Sequence, residues 1–249
     1  MYLYIYDNFL TDKKYQSSLY RIENRLVDLG IKGRVVRLNI LKNMAEVVED
    51  GIRQGVKTVV VVGNDLSFSK IINIIADKNV TLGIIPVDNK SKIAKILGIP
   101  PLDAACEILA QRIVKKIDLG MVGNYYFIDS ATITNEETTV KLKDYNISPI
   151  GKNNIVSFNN LGIFTPGKAT SDYKSDPTDE KLELVISAEI KKFDKNSPLT
   201  IIPFEKIKVS CAEPGAFIVV DQVTKLKPPA TITVAPGKLQ TIVGSKRLF

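Results

Sequence analysis

The sequence predicts two domains of different class: a parallel βαβ sheet with covering helices over residues 1–120, then an all-β sandwich over residues 121–249. Three observations carry this expectation. β-rich runs and helical periodicity alternate strictly as far as Ile117, which is the pattern of βαβ units. One of those runs, residues 58–62, is an unbroken β-branched stretch, as expected for a strand covered on both faces. Beyond Ile117 the chain turns into short alternating or β-branched runs separated by turn-formers.

Residues 2–6 read as the first strand, with Tyr2, Tyr4 and Tyr6 alternating as sheet-packing rings rather than base-stacking ones. Tyr15, Leu19, Ile22, Leu26 and Leu29 recur at helical spacing, and Gly30 ends that helix. A second strand is predicted over 34–38. Asn43 is the expected N-cap of the next helix, with Glu46 three residues on and Met44, Val47, Val48 and Ile52 inward. After the strand at 58–62 come a helix over 67–78, a strand over 81–85, a short helix over 91–97 and a longer one over 103–116.

In the second half, strands are predicted over 125–133, 138–142, 155–158, 182–188, 200–203, 206–211, 216–220, 231–234 and 238–243. Residues 165–180, rich in Pro, Gly, Ser, Thr and Asp, read as a surface loop. No internal repeat or low-complexity tract interrupts the series.

Composition narrows the function. The 249 residues are 45% hydrophobic and 24% charged, which is ordinary for a globular protein. There is no histidine, and Cys106 and Cys211 stand far apart, which excludes zinc fingers, His-based triads and most transition-metal sites. The apolar N-terminal stretch is shorter than a signal peptide requires and no window is long enough to span a membrane. A cytoplasmic protein with reduced thiols is expected. The net charge of +7 suits an acidic partner, such as a nucleotide, anionic lipid or nucleic acid, but the lysines are dispersed, which favours a plain soluble surface.

Ligands in open α/β sheets bind beyond the carboxyl ends of strands, so the turns after Val62 and after Ile85 are where chemistry is sought. The stretch VVVVGNDLSFSKIINII resembles the diacylglycerol kinase segment in which a buried strand enters Gly-Gly-Asp-Gly-Thr and then a helix. LGIIPVDNKSKIAKILGIP is similar to that family's Leu-Gly-Ile-Ile-Pro, Gly-Thr-Gly-Asn-Asp-Phe-Ala and Leu-Gly-Ile-Pro run. KKIDLGMVGNYYF, VSFNN, SDPTDEKLELVI, FIVVDQV and APGKLQTIVG follow in the family's order. The resemblance implies the NAD kinase/diacylglycerol kinase-like fold, with a cleft between the domains and the extreme C-terminus returning to the first. NAD kinase itself shares the Gly-Gly-Asp-Gly pattern but fits the later landmarks less well.

The resemblance also implies a site. Gly63, Asn64, Asp65 and Ser67 in the first turn, with Asn89, Lys90 and Ser91 in the second, stand where the family binds nucleotide. Asp65 and Asp221 are the implied catalytic carboxylates, and Asp179 matches an aspartate that supports a structural metal. ATP and Mg²⁺ are the implied cofactors. Several positions depart from the pattern: Asn64 and Leu66 replace glycines, Ser69 and Lys70 replace Asn and Glu, and Asp88 to Lys92 replaces the second glycine loop. Val223 stands where the family has a glutamate, and only about twenty residues, 134–154, fill a region where relatives carry a longer insertion. Leu66 is expected to occupy space that phosphates need, and Asp88 to repel them.

Plain structural readings stand beside these. Asp65 also reads as an N-cap, Asp221 as a turn residue, and Asp179 as a turn before the strand at 182–188. Lys90, Lys92 and Lys95 read either as a basic rim for an anion or as the solvated face of a short helix. Two functions therefore follow: ATP-dependent phosphorylation of a lipid hydroxyl, impaired by the degenerate motifs, or a pseudoenzyme that binds a ligand or partner in the old cleft. The expected partners are a nucleotide or lipid head group, with peripheral contact to an anionic membrane and a homodimer as further expectations, and no nucleic acid.

Overall fold

The computed structural model describes residues 1–39, 42–134, 137–149, 154–164, 172–188 and 199–249. It divides into two compact units, one of Met1–Ile117 with Lys238–Leu248, the other of Asp118–Gly237 with Phe249. The first is α/β and the second is β-rich. Part of the loop predicted over 165–180 lies outside the described residues.

The first unit contains β1 (Tyr2–Tyr6), α1 (Gln16–Asp28), β2 (Gly33–Arg37), α2 (Met44–Arg53), β3 (Thr58–Gly63), α3 (Asp65–Ile75), β4 (Thr81–Pro86), α4 (Lys92–Ile96) and α5 (Asp103–Gln111). Its strands run parallel in the order β2-β1-β3-β4. Every residue of β3 and β4 is buried, which explains why both read as apolar without alternation. Residues Gln240 and Thr241 pair parallel with Thr81 and Leu82, adding a C-terminal strand to this sheet. Helix starts follow local chemistry: Asn43 caps α2 by accepting the Ala45 N–H at 2.8 Å, rather than through a box with Glu46.

The second unit begins within β5 (Val114–Val122) and continues with β6 (Tyr125–Phe127), β7 (Ser130–Thr134), β8 (Thr138–Leu142), β9 (Tyr145–Ile147), β10 (Asn154–Asn159), β11 (Ile163–Phe164) and β12 (Tyr173–Lys174). β13 (Leu182–Ala188), β14 (Leu199–Phe204), β15 (Lys206–Cys211), β16 (Ile218–Val220), β17 (Thr224–Leu226) and the first part of β18 (Ala230–Ile242) complete it. One layer is ordered β14-β13-β10-β7-β16-β17, and the other pairs β18, β15, β8 and β9. Between them lies an apolar core that includes Phe127, Phe158, Phe204, Ile207 and Ile232, all at most 3% exposed. Burying such a core is the main driving force for a two-layer β unit.

Three predicted boundaries are corrected. The helix expected over 103–116 stops at Gln111, because Arg112 adopts a left-handed backbone (φ 54°) and the chain turns into β5. The strand expected over 125–133 is two strands, broken at Ile128 and Asp129, whose N–H groups bond to the Asp221 carboxylate. The runs at 231–234 and 238–243 form the single strand β18, with Gly237 absorbing a positive φ of 54° inside it. Among the described residues, no helix is long and apolar enough to cross a membrane.

Candidate functional site

β3 delivers the chain into α3 through a closed network of short contacts. The Asn64 side chain accepts the Ser67 N–H at 3.2 Å, while the Ser67 Oγ accepts the Asn64 N–H at 3.3 Å, forming a reciprocal cap. Ser67 in turn donates its hydroxyl proton to Asp7, at the carboxyl end of β1, over 2.5 Å. A Cβ at Gly63 would collide with the Ser67 side chain, so this glycine is needed for the helix start to sit against its strand. Asn64 has an extended backbone (φ −126°), so it replaces a glycine without strain.

Asp65 does not cap its own helix. Its carboxylate reaches across to α4, taking the Ser91 hydroxyl on one oxygen and the N–H groups of Lys92 (2.8 Å) and Ile93 (3.4 Å) on the other. Ser91 Oγ accepts the Ala94 N–H at 2.9 Å, and the Lys95 N–H returns to the Ser91 carbonyl at 3.3 Å. The first three amides of α4, which have no partner within a helix, are therefore occupied here by Asp65 and Ser91. The expectation that Asp65 serves as N-cap is corrected to this crossed role: Asn64 caps α3, and Asp65 supports α4.

The remaining predicted residues of the second turn point elsewhere. Asp88, Asn89 and Lys90 are exposed, and Asp88 accepts the Lys90 N–H at 2.9 Å in a local turn. Lys90, Lys92 and Lys95 lie exposed, while Ile93, Ile96 and Leu97 are buried, which is the amphipathic pattern of a solvated face. Leu66, expected to fill space over the turn, is 42% exposed in the first turn of α3.

In the second unit, Asp221 and Gln222 form the tight turn between β16 and β17, both with left-handed backbones (φ 47° and 57°). The buried Asp221 carboxylate accepts the N–H groups of Ile128, Asp129 and Ser130, each at 2.9 Å. These bonds interrupt the strand that sequence predicts as continuous over 125–133. Burial pushes the Asp221 carboxyl up to about 6, with the Asp129 charge adding to it and the three amides opposing it. Val223 follows, 42% exposed.

Residues 2–122 match the family model described as the diacylglycerol kinase catalytic domain. A diacylglycerol kinase of Bacillus subtilis (strain 168) is 34% identical over 77 residues, 29% of this chain and 25% of that protein, so the matched stretch spans about a quarter of the relative's length. A diacylglycerol kinase structure from Bacillus anthracis str. Sterne superposes with a TM-score of 0.75 at 15% identity, covering 98% of this chain and 97% of that one. A second chain from the same strain, provisionally named for the same activity, gives a TM-score of 0.77 at 13% identity over 99% and 98% of the two chains. Residues 2–122 of this chain belong to the diacylglycerol kinase catalytic-domain family.

Members of the diacylglycerol kinase family generally use ATP and a divalent metal, and the residues here fit that pair poorly. A nucleotide phosphate at the start of α4 would have to displace the Asp65 carboxylate from the amides it occupies, with Asp88 adding a second negative charge nearby in sequence. Asp179, the implied metal residue, accepts the Lys181 N–H at 3.0 Å and closes the turn ahead of β13. Partial burial raises its carboxyl above the usual range, with the charges of Asp176 and Asp118 acting in the same direction. Among the described residues, no group of three or more His, Cys, Asp or Glu side chains is arranged to hold a metal ion.

Sequence reasoning missed Asp7, Asp118 and Glu183. Asp7 carried a usable signal, since it follows a buried strand at its carboxyl end, where open α/β sheets place their ligand sites. Asp118 is buried within the apolar run of β5 and accepts N–H bonds from Glu180 (2.8 Å) and Gly237 (2.7 Å), so it ties two turns of the β unit together.

Proposed function

We propose that this chain is a diacylglycerol kinase-like protein that no longer transfers phosphate, and that it acts by binding a ligand or partner on the retained frame. The observation that supports this reading most is the Asp65 carboxylate seated on the amides of α4. Phosphoryl transfer is catalysed chiefly by positioning and by electrostatic stabilisation of the transferring group. A loop whose donors are already paired with a carboxylate has neither to offer. Loss of one such group commonly costs about 10²- to 10³-fold in rate. Here the second loop lacks glycines and Val223 replaces the family's glutamate as well.

Calorimetric titration with ATP and ADP, with and without Mg²⁺, tests the proposal. The expected result is no saturable heat at millimolar nucleotide. A Mg²⁺-dependent affinity in the micromolar range would contradict it.

A second reading, a slow lipid kinase, draws on Asp221. Burial pushes its carboxyl up to about 6, toward the range useful to a general base at neutral pH. Against it stand the three N–H bonds that already engage both Asp221 oxygens. Phosphorylation of a diacylglycerol by wild type, lost in Asp221→Asn with the fold intact, is the outcome this second reading requires.

A further inference from the structure

A groove of about 740 Å³ opens on the β unit, and lysines from separate stretches of chain converge on it. Lys141 and Lys143 come from β8 and its turn, Lys181 precedes β13, and Lys206 and Lys208 lie on β15. All five are exposed, and none forms a salt bridge among the described residues. Glu205 is the one acidic residue in the groove lining.

The arrangement opposes stability in two places. Lys141 sits directly across the β8–β15 ladder from Lys208. Like charges at directly opposed positions repel at a few ångströms, and such pairs destabilise a sheet. Lys206 lies two residues before Lys208 on β15 and so adds its charge to the same face. Lys143 adopts a left-handed backbone (φ 52°), which disfavours residues other than Gly, Asn and Asp. Local stability would be served better by Thr or Gln at the first pair and by Gly or Asn at the turn.

We propose that this groove binds a phosphate-bearing anion, whose charge relieves the repulsion between Lys141 and Lys208. Ammonium groups on flexible stems are suited to a compact, multiply charged phosphate, which accepts hydrogen bonds from several directions at once. The inference does not rest on the reading of the α/β unit. The phosphate could be free in solution, as in a polyphosphate, or presented as a monoester on a lipid surface.

The test uses the full-length protein and two probes: tripolyphosphate in equilibrium titration, and flotation with phosphatidylcholine vesicles with or without phosphatidate. Binding to at least one probe is expected, weakening as salt is raised because exposed charges are screened. The double variant Lys141→Gln with Lys208→Gln should bind about fivefold more weakly for each lysine removed. Lys141→Arg with Lys208→Arg should retain binding and so controls for folding. Lys13→Gln with Lys78→Gln, which removes the same net charge from exposed sites outside the groove, should bind as wild type. Tripolyphosphate binding identifies a soluble ligand, and binding confined to phosphatidate vesicles identifies a lipid headgroup. The proposal is overturned if neither probe binds beyond the phosphatidylcholine background, or if the Lys13/Lys78 variant weakens as much as the Lys141/Lys208 variant.

Discussion

The carboxylate of Asp65 and the hydroxyl of Ser91 are hydrogen bonded to each other across the two turns that follow β3 and β4, and together they occupy the first three amides of α4. A site that in relatives is implied to receive phosphate is thus filled from within the chain. Removing the carboxylate should expose those amides. Asp65→Ala is expected to destabilise the protein by about 1–2 kcal/mol, the usual cost of losing a helix cap with its charge-assisted bonds. The melting temperature should fall accordingly, and an unchanged value would show that the contact carries no weight.

Asp221→Ala should be more damaging, because it leaves the N–H groups of Ile128, Asp129 and Ser130 buried or half-buried without their acceptor. The expected loss is about 3 kcal/mol. Amide hydrogen exchange should accelerate most at those three positions. Uniform acceleration over the whole chain, with no local excess there, would place the effect elsewhere.

Gln222 holds a left-handed turn position next to Asp221 that a glycine occupies without steric cost. Gln222→Gly should therefore be neutral to stabilising, by up to about 1 kcal/mol, the left-handed penalty being offset in part by glycine's greater entropy when unfolded. A clear fall in the denaturation midpoint would mean that the Gln222 side chain makes a contact worth more than the strain it imposes.

Much of this fold is legible in sequence because burial writes it there. β3 is buried at every position and reads as a strand without alternation, and Asn43 and Ser91 announce helix starts by residue type. What is not legible depends on remote partners. The break between β6 and β7 is made by Asp221, which is more than ninety positions away by chain. The end of α5 rests on Arg112 in a left-handed conformation, a choice that residue type does not advertise. In the site, Gly63, Asn64, Asp65, Ser67 and Ser91 are visible as one pair of turns. Their pairing with one another, and with Asp7, depends on where Oδ and Oγ atoms point, which no spacing reveals.

Glu183 provides a pH signature. It is 1% exposed, and its carboxyl is pushed from 4.5 up to about 7, first by burial and then by the charge of Asp179. The folded protein therefore keeps this proton at pH values where the unfolded chain has released it. The associated stability is fully present below about pH 4.5 and is lost as pH rises through about 7. Glu183→Gln, which stays neutral, should be more stable than wild type at pH 8, on the order of 2 kcal/mol, with the gap closing below pH 5. Denaturation midpoints measured across that range check it, and a gap that widens toward acid would reverse the assignment.

If the Asp65 carboxylate on the amides of α4 closes the loop to phosphate, the protein should not transfer phosphate. The most direct test incubates purified wild-type protein with labelled ATP, Mg²⁺ and diacylglycerol in mixed micelles, alongside Asp65→Ala. No labelled phosphatidate above the protein-free control is expected in either sample. Formation of phosphatidate by wild type that disappears in Asp65→Ala would contradict that expectation, because Asp65 would then be serving catalysis and not closure.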